Sequence, residues 1–285
     1  MKPAPYTLTP PLGAMSPLVV EVPHASTWLA PEHLALLNAP ARSIVAEADL
    51  YVDELYARAP EFGATLVVGG VSRLALDLNR DKDDIDSEVI EDAPRKRGSN
   101  QGCLWKLTSD GRYVHTRKLL RGEWQLRVDS IYRPYHSAVA EALRVRHAKF
   151  GFAVLLCAHS MPSTATAADV VPGTRGGQSC APALTSLVMG VAAAAGLRAV
   201  VDTPYLGGYG VRHYGKPSAG VHAIQVELSR RLYMHEAQGT RGGQFERLQA
   251  WCTELCGQMS RLSLDQLGEP LVPLHSYVGW KTAPD

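Results

Sequence analysis

The stretch LLCAHSMPS, residues 155–163, decides how the chain can fold. Its first four residues form an apolar run that is typical of a buried strand, and Pro162 ends regular structure soon afterwards. The strand therefore delivers His159, with Ser160 beside it, to its carboxyl end. A single histidine at such a place is most often a packed residue with one hydrogen bond. Its meaning depends on what other segments bring to the same point.

Short apolar runs alternate with longer helical patterns along the whole chain of 285 residues. This alternation predicts an α/β fold with helices on both faces of a sheet. No internal repeat or flexible linker divides the chain, so we expect a single domain over residues 1–285. The predicted strands are LVVEV (18–22), TLVVGG (65–70), AVLLCA (153–158), AVVD (199–202) and VHAIQVEL (221–228), and the predicted helices are 42–59, 123–149 (interrupted or kinked at Pro134), 180–195 and 243–262.

Composition argues against two large classes of protein. The 29 basic and 28 acidic residues nearly cancel, whereas a nucleic-acid surface needs concentrated positive charge. No window approaches the ~20 consecutive apolar residues of a membrane span, and the first residues lack the apolar centre of a signal peptide. The five cysteines have scattered spacing, and Cys252 and Cys256 fall in a helical apolar stripe that favours core packing. We therefore expect a reduced cytoplasmic protein without nucleic-acid or membrane partners; its oligomeric state is not predicted.

Three predicted strands carry titratable side chains at their carboxyl ends, where open α/β sheets bind ligands. His24 follows the first of these strands, His159 follows another, and Glu227 stands at the end of the last. Two imidazoles and a carboxylate, with one position left for water, make a common catalytic zinc site. Glu227 could supply that carboxylate, but hydrolysis also needs an acid that accepts a proton.

The helix predicted over 42–59 offers a second acid. Asp49 borders the apolar face of this helix, whereas Glu47, Asp53 and Glu54 are expected to point into solvent. Asp49 is the acid best placed to face inwards, although a helix-capping or salt-bridged aspartate fits the pattern equally well. The apolar face, at about 100° per residue, comprises Ile44, Val45, Ala48, Val52, Leu55 and Ala59.

Other catalytic motifs are absent, but two arginines stand out. The chain has no HExxH and no GxSxG, and its glycine-rich segments lack the GK[ST] ending of a phosphate loop. Ser160 cannot form a dyad with His159, because neighbours on a strand face opposite ways.

Arg80 closes LALDLNR and Arg212 lies in a predicted loop rich in glycine and tyrosine. Guanidinium groups match carboxylates with two parallel hydrogen bonds; a surface salt bridge is the alternative for each arginine.

Seven motifs together resemble one known family. They occur in the order found in the N-formylglutamate amidohydrolase family, and the resemblance runs from about residue 18 to 236. It implies a fold similar to the zinc-dependent exopeptidases (phosphorylase/hydrolase-like), with a mixed, mostly parallel sheet flanked by helices. The motifs are VPHAS, EADLYVDELYA, SRLALDLNR, YRPYH, LLCAHS, GGQSC and GGYGVRHYGKPSAGVHAIQVELSRRLYM.

The resemblance also implies roles for the candidate metal ligands and the candidate catalytic residues. Carried over by motif position, His24, Asp49 and His159 would bind one divalent ion, expected to be zinc. Glu227 would be the general base. His222 is assigned to the same catalytic group, as a polar neighbour of the substrate-binding residues.

The implied substrate is a small molecule with carboxylate groups, held by Arg80, Arg212 and Asn79. The implied reaction is hydrolysis of the N-formyl or N-acyl amide of an acidic amino acid, most simply N-formyl-L-glutamate, as in histidine degradation. HASTW lacks the glycine that family members usually have there, and region 82–125 departs from the deformylases of that pathway. Two alternatives therefore stay open: a zinc hydrolase of the same fold that acts on another N-acyl amino acid or a small peptide, and a non-catalytic carboxylate-binding protein.

Overall fold

The computed structural model describes residues 4–93 and 100–273. The chain forms two compact units, each assembled from segments that are separate in the sequence. The first unit comprises Met1–Thr7, Pro23–Leu50 and Val68–His136, and the second comprises Leu8–Val22, Tyr51–Val67 and Ser137–Asp285. A single catalytic domain over the whole chain stays a prediction.

The described residues form strands and helices in alternation. The strands are β1 (Tyr6–Thr9), β2 (Leu18–Val22), β3 (Thr65–Gly69), β4 (Ala153–Met161), β5 (Val170–Gly173), β6 (Val221–Ser229), β7 (Met234–His235) and β8 (Thr240–Arg241). The α-helices are α1 (Pro31–Leu34), α2 (Ala41–Glu47), α3 (Val52–Leu55), α4 (Arg121–Arg127), α5 (Arg133–Phe150), α6 (Pro182–Ala194), α7 (Tyr209–Tyr214), α8 (Phe245–Met259) and α9 (Leu264–Leu267).

Six strands form one sheet in the order β1-β3-β2-β4-β6-β5. β2 pairs with β4 and β4 pairs with β6 in parallel, whereas β5 is antiparallel to β6. β4 and β6 are buried over all nine of their residues. This explains their nearly continuous apolar sequences, because a central parallel strand is covered on both faces. The predicted α/β fold with a mixed, mostly parallel sheet is confirmed.

β4 is longer than its apolar run. It continues through His159 to Met161, three residues beyond the predicted end at residue 158. His159 pairs with Glu227 of β6 in the parallel register. The two candidate residues therefore lie inside neighbouring strands, near the carboxyl end of each.

Two predicted elements are wrong. The strand expected at residues 199–202 is reduced to an isolated bridge between Val170 and Ala199. The helix expected over 42–59 breaks after Glu47, where Ala48 is extended at φ −76° and ψ 147°. The backbone N–H of Asp49 donates to the carbonyl of His24 at 2.9 Å. This bond to a distant segment replaces the helical hydrogen bond that the local pattern predicted.

The interruption expected at Pro134 takes the form of a wide helical turn. α4 and α5 are joined by the π-helical segment Val128–Tyr132, so the chain is helical from 121 to 150. The N–H of Arg133 donates to the carbonyl of Val128, five residues back. Pro134 has no N–H to donate, so a change from four-residue to five-residue hydrogen-bond spacing just before it costs no bond at Pro134.

The other two predicted helices match α6 and α8 within three residues at each end. In α8, Cys252 and Cys256 are fully buried, which confirms their expected packing in the core. All five cysteines are free and buried. Among residues 4–93 and 100–273, no helix combines the length and hydropathy needed to cross a bilayer.

Candidate active site

The first part of the candidate site is a buried histidine between two carboxylates. His24 follows β2, and its Nε2 lies 2.8 Å from Oδ1 of Asp77. Its Nδ1 lies 3.5 Å from Oδ2 of Asp49. Because an ionised carboxylate only accepts hydrogen bonds, the proton of a neutral His24 belongs on Nε2. The lone pair of Nδ1 then faces Oδ2 of Asp49. A cation bound between Nδ1 and Oδ2 would accept a lone pair from each atom.

His159 supplies a second imidazole from β4, and its side chain is also buried. One possible ligand atom from each of His24, Asp49 and His159 lies within 4.8 Å of the other two. Two imidazoles and one carboxylate are a donor set that suits zinc and leaves a coordination position open. The side chains present therefore fit the ion that the family resemblance implies.

Asp77 is a residue of this site that the sequence analysis missed. It is completely buried, and besides His24 it accepts hydrogen bonds from Trp105 Nε1 at 2.9 Å and Arg73 Nη2 at 3.0 Å. Burial acts to raise the pKa of Asp77, but the charge of Arg73 and the hydrogen bond with His24 hold it well below its ordinary value. The i,i+4 spacing of Arg73 and Asp77 within SRLALDLNR was the available signal. Asp77 fixes the ring of His24 with Nδ1 facing Asp49.

If His24, Asp49 and His159 hold a zinc ion, replacing Asp77 with asparagine should weaken zinc binding by about 10- to 100-fold, the usual effect of removing a carboxylate that orients a histidine ligand. Competition with a chelator measures the affinity. Asp129, an exposed partner of Arg133, provides the control, and Asp129→Asn should bind zinc like the unmodified protein. Equal affinities in both variants would show that Asp77 only stabilises the fold; thermal melts detect that separate effect.

Glu227 lies on β6 directly across from His159. Neighbouring strands are about 5 Å apart, so paired residues present their side chains side by side on one face. Oε1 of Glu227 accepts a hydrogen bond from Nε2 of Gln225 at 2.8 Å, and Gln225 in turn accepts one from the N–H of Gly208 at 2.8 Å. Gln225 was not predicted; its position two residues before Glu227 puts it on the same strand face. This chain of bonds holds the buried carboxylate in a defined orientation.

His222, expected in the catalytic group, lies near the start of its strand and away from Glu227. It is the second residue of β6 and pairs with Val154 near the start of β4. Five residues separate it from Glu227, which is about 16 Å along a strand, and the odd spacing turns it to the opposite face. Its Nδ1 accepts the N–H of Ala181 at 3.0 Å, and burial lowers its pKa to about 4. His222 is a packed, neutral histidine.

Arg80 lines a cavity of about 380 Å³. Its Nε donates to the carbonyl of Gln101 at 2.7 Å, and among the described residues no carboxylate lies within 4.0 Å of its guanidinium. The surface salt bridge considered for Arg80 is therefore absent there. Neighbouring Asn79 is buried, and its N–H donates to Asp77 at 2.8 Å. The polar walls of the cavity come from Asn100, Gln101, Thr108 and Ser109, within the divergent region 82–125, of which residues 94–99 lie outside the described part.

Glu47 holds one wall of that cavity in place. It was expected to point into solvent, but it is only 8% exposed. Its carboxylate accepts the backbone N–H and the hydroxyl of Ser109, both at 2.7 Å. Since Glu47 ends α2, it ties the divergent segment to the helix that precedes Asp49.

Arg212 lies in a helix rather than in the predicted loop. It is an exposed residue of α7, and its Cζ lies 5.7 Å from the ring centroid of Tyr209. His213 stacks on the same tyrosine with the ring centroids 4.7 Å apart. The aromatic ring limits the directions that the guanidinium can adopt, while its exposure leaves it accessible to a ligand.

Comparison with known proteins decides the family. The model of the N-formylglutamate amidohydrolase family matches residues 16–234, most of the chain. The chain belongs to this family. Two curated relatives are the N-formylglutamate deformylases of Pseudomonas aeruginosa, 34% identical over 229 residues, and of Pseudomonas putida, 33% identical over 231 residues. The alignments cover 77% and 78% of this chain and 83% of each relative.

Solved structures agree with this membership of the N-formylglutamate amidohydrolase family. The crystal structure of N-formylglutamate amidohydrolase from Ralstonia eutropha JMP134 has a TM-score of 0.85 and 31% identity, over 90% of this chain and 98% of that one. A gene product from Agrobacterium tumefaciens has a TM-score of 0.67 and 19% identity, over 90% and 95% of the two chains. The first comparison supports the family and the second supports the fold.

Proposed function

We propose that this member of the N-formylglutamate amidohydrolase family is a zinc-dependent deformylase that converts N-formyl-L-glutamate and water to formate and L-glutamate. The observation that carries the proposal is the pairing of His159 with Glu227 on adjacent strands. It places a candidate metal ligand beside a candidate proton acceptor. The names of the Pseudomonas relatives support the choice of substrate.

His24, Asp49 and His159 would hold the zinc ion. A bound zinc ion lowers the pKa of water towards ~7 and polarises an acyl oxygen. The contribution of the protein is to keep three buried donor atoms together and to orient one of them through Asp77.

Glu227 would move the proton. Its carboxylate accepts a proton from the water molecule as the oxygen attacks the formyl carbon. It then delivers that proton to the amide nitrogen as the carbon–nitrogen bond breaks, so that the amine leaves without developing negative charge. The hydrogen bond from Gln225 engages Oε1, and Oε2 is then the natural proton carrier.

Substrate recognition would use the arginines. N-Formylglutamate has two carboxylates, and both Arg80 and Arg212 can form paired hydrogen bonds with one. Asn79 adjoins Arg80 and would contribute a polar contact of its side chain. The absence of a salt bridge to Arg80 in the described residues supports a role in binding an external anion.

A panel of N-formyl and N-acetyl amino acids tests the proposal. We expect kcat/KM to be highest for N-formylglutamate. Arg212→Lys should lower that value while metal content is unchanged, because lysine replaces a two-point contact by a single charge. The variant should lose less activity towards the corresponding N-formyl amide, which lacks one carboxylate.

The panel also separates the alternatives. Better turnover of neutral N-formyl or of N-acetyl substrates would favour the hydrolase of other N-acyl amino acids or small peptides. A protein that binds zinc and carboxylate ligands but hydrolyses none of the substrates would favour the carboxylate-binding alternative. If Arg212→Lys affects acid and amide substrates equally, Arg212 supports the structure and does not grip the substrate.

We further propose a cytoplasmic role in histidine degradation. The support for the cytoplasmic location is the five free, buried thiols, since secreted proteins tend to pair their cysteines. A formylglutamate-hydrolysing activity would supply glutamate at the end of such a pathway.

A further inference from the structure

The first unit contains a second cavity, of about 300 Å³. Its apolar walls include Trp28, Leu36, Val71 and Ile131, and its lining also contains Arg127. None of the residues proposed for zinc binding, proton transfer or substrate binding lines it. The cavity is therefore built from a different set of side chains.

Arg127 is a buried cation in this cavity. It ends α4, is 3% exposed, and donates from Nη1 to the carbonyl of Ala75 at 2.8 Å. This is the one hydrogen bond of its guanidinium among the described residues. A guanidinium has five N–H donors, so most of its capacity to donate is unused. Burial lowers the pKa of Arg127 to about 10, but the group stays charged at neutral pH.

Nearby acids do not neutralise Arg127 by direct contact. Glu123 also lines the cavity, but its carboxylate is held by Arg117 at 2.8 and 2.9 Å and by the N–H of Leu120 at 2.7 Å. Glu32 lines the cavity as well, as an exposed residue of α1. Within the described residues, neither acid forms an ion pair with Arg127. A buried charge without a direct partner destabilises the fold, and an anion bound beside it would offset that cost.

We propose that this cavity is a second ligand site, which binds a small carboxylate with an apolar body. The carboxylate pairs with the unused donors of Arg127, and the apolar body lies between Trp28, Leu36, Val71 and Ile131. Small-molecule sites occupy about 300–1,000 Å³, and this volume suits a molecule the size of one aromatic or branched amino acid. The charge-assisted pair would supply the neutralising partner that Arg127 lacks.

Phenylacetate is a suitable probe, with phenylacetamide as its uncharged counterpart. Calorimetric titration should detect phenylacetate, whereas phenylacetamide should bind about 10- to 100-fold more weakly, the range expected for losing hydrogen bonds to a charged group. Arg127→Met keeps the length of the side chain and should reduce phenylacetate affinity by the same factor. Its hydrolytic activity should remain that of the unmodified protein, which shows that the variant is folded.

A matched variant excludes binding at the other arginines. Arg212→Met should leave phenylacetate affinity unchanged, because Arg212 does not line this cavity. Equal affinity for phenylacetate and phenylacetamide overturns the proposal. So does a phenylacetate affinity in Arg127→Met that equals that of the unmodified protein, or phenylacetate binding that is lost only in Arg212→Met. If Arg127→Met is unfolded, Trp28→Ala should weaken phenylacetate binding instead, and unchanged affinity there contradicts the site. The calorimetric result does not depend on which substrate the enzyme hydrolyses.

Discussion

Replacing Glu227 with glutamine should lower the turnover of N-formylglutamate by about 10²- to 10⁴-fold, the usual contribution of a general base. Glutamine has nearly the same shape and can still bond with Gln225, but its amide cannot accept the proton of water. Zinc content should stay at one ion per chain, because Glu227 is proposed to lie beside the metal ligands without being one. Steady-state kinetics and metal analysis on the same sample measure both quantities.

Two outcomes would remove Glu227 from this role. A variant with nearly full activity would show that another group accepts the proton, and a variant that loses zinc would make Glu227 a ligand. Glu254→Gln serves as the control, because Glu254 is an exposed residue of α8. It should match the unmodified enzyme in turnover, zinc content and melting temperature.

Replacing His159 with alanine should remove zinc and activity together. One of three protein donors is lost, so the affinity should fall by more than the roughly 10- to 100-fold effect of removing an orienting partner. Turnover should drop at least as far as in Glu227→Gln at equal zinc concentration. His235→Ala, which changes an exposed histidine, should alter neither quantity. Full zinc occupancy in the His159→Ala protein would contradict the proposed ligand set.

The central strands were predictable from local sequence. β2 has the predicted bounds and β6 extends one residue further, because strands covered on both faces must be apolar throughout. β4 was predicted too short. Its last residues include His159 and Ser160, whose polar side chains conceal a strand that is still fully buried.

Residues that depend on distant partners were harder to predict. Asp49 was placed on a helix because its neighbours have helical spacing, yet its N–H bonds to His24, 25 positions away in the sequence. Asp77 was overlooked because its partner His24 is 53 residues distant. Periodicity reports only local order, so it contains no information about either contact. His222 is the opposite case, because counting positions along its strand from Glu227 is sufficient to place it on the other face.

The pairing of β4 with β6 has a consequence for how such an enzyme can diversify. His159 and Glu227 are fixed to each other by strands that pair along nine residues, whereas the walls of the Arg80 cavity come from irregular segments between residues 100 and 111. Insertions and substitutions accumulate most easily in such segments. If the Arg80 cavity holds the substrate as proposed, descendants of this chain would acquire new substrates through changes in the cavity walls while keeping the same hydrolytic chemistry.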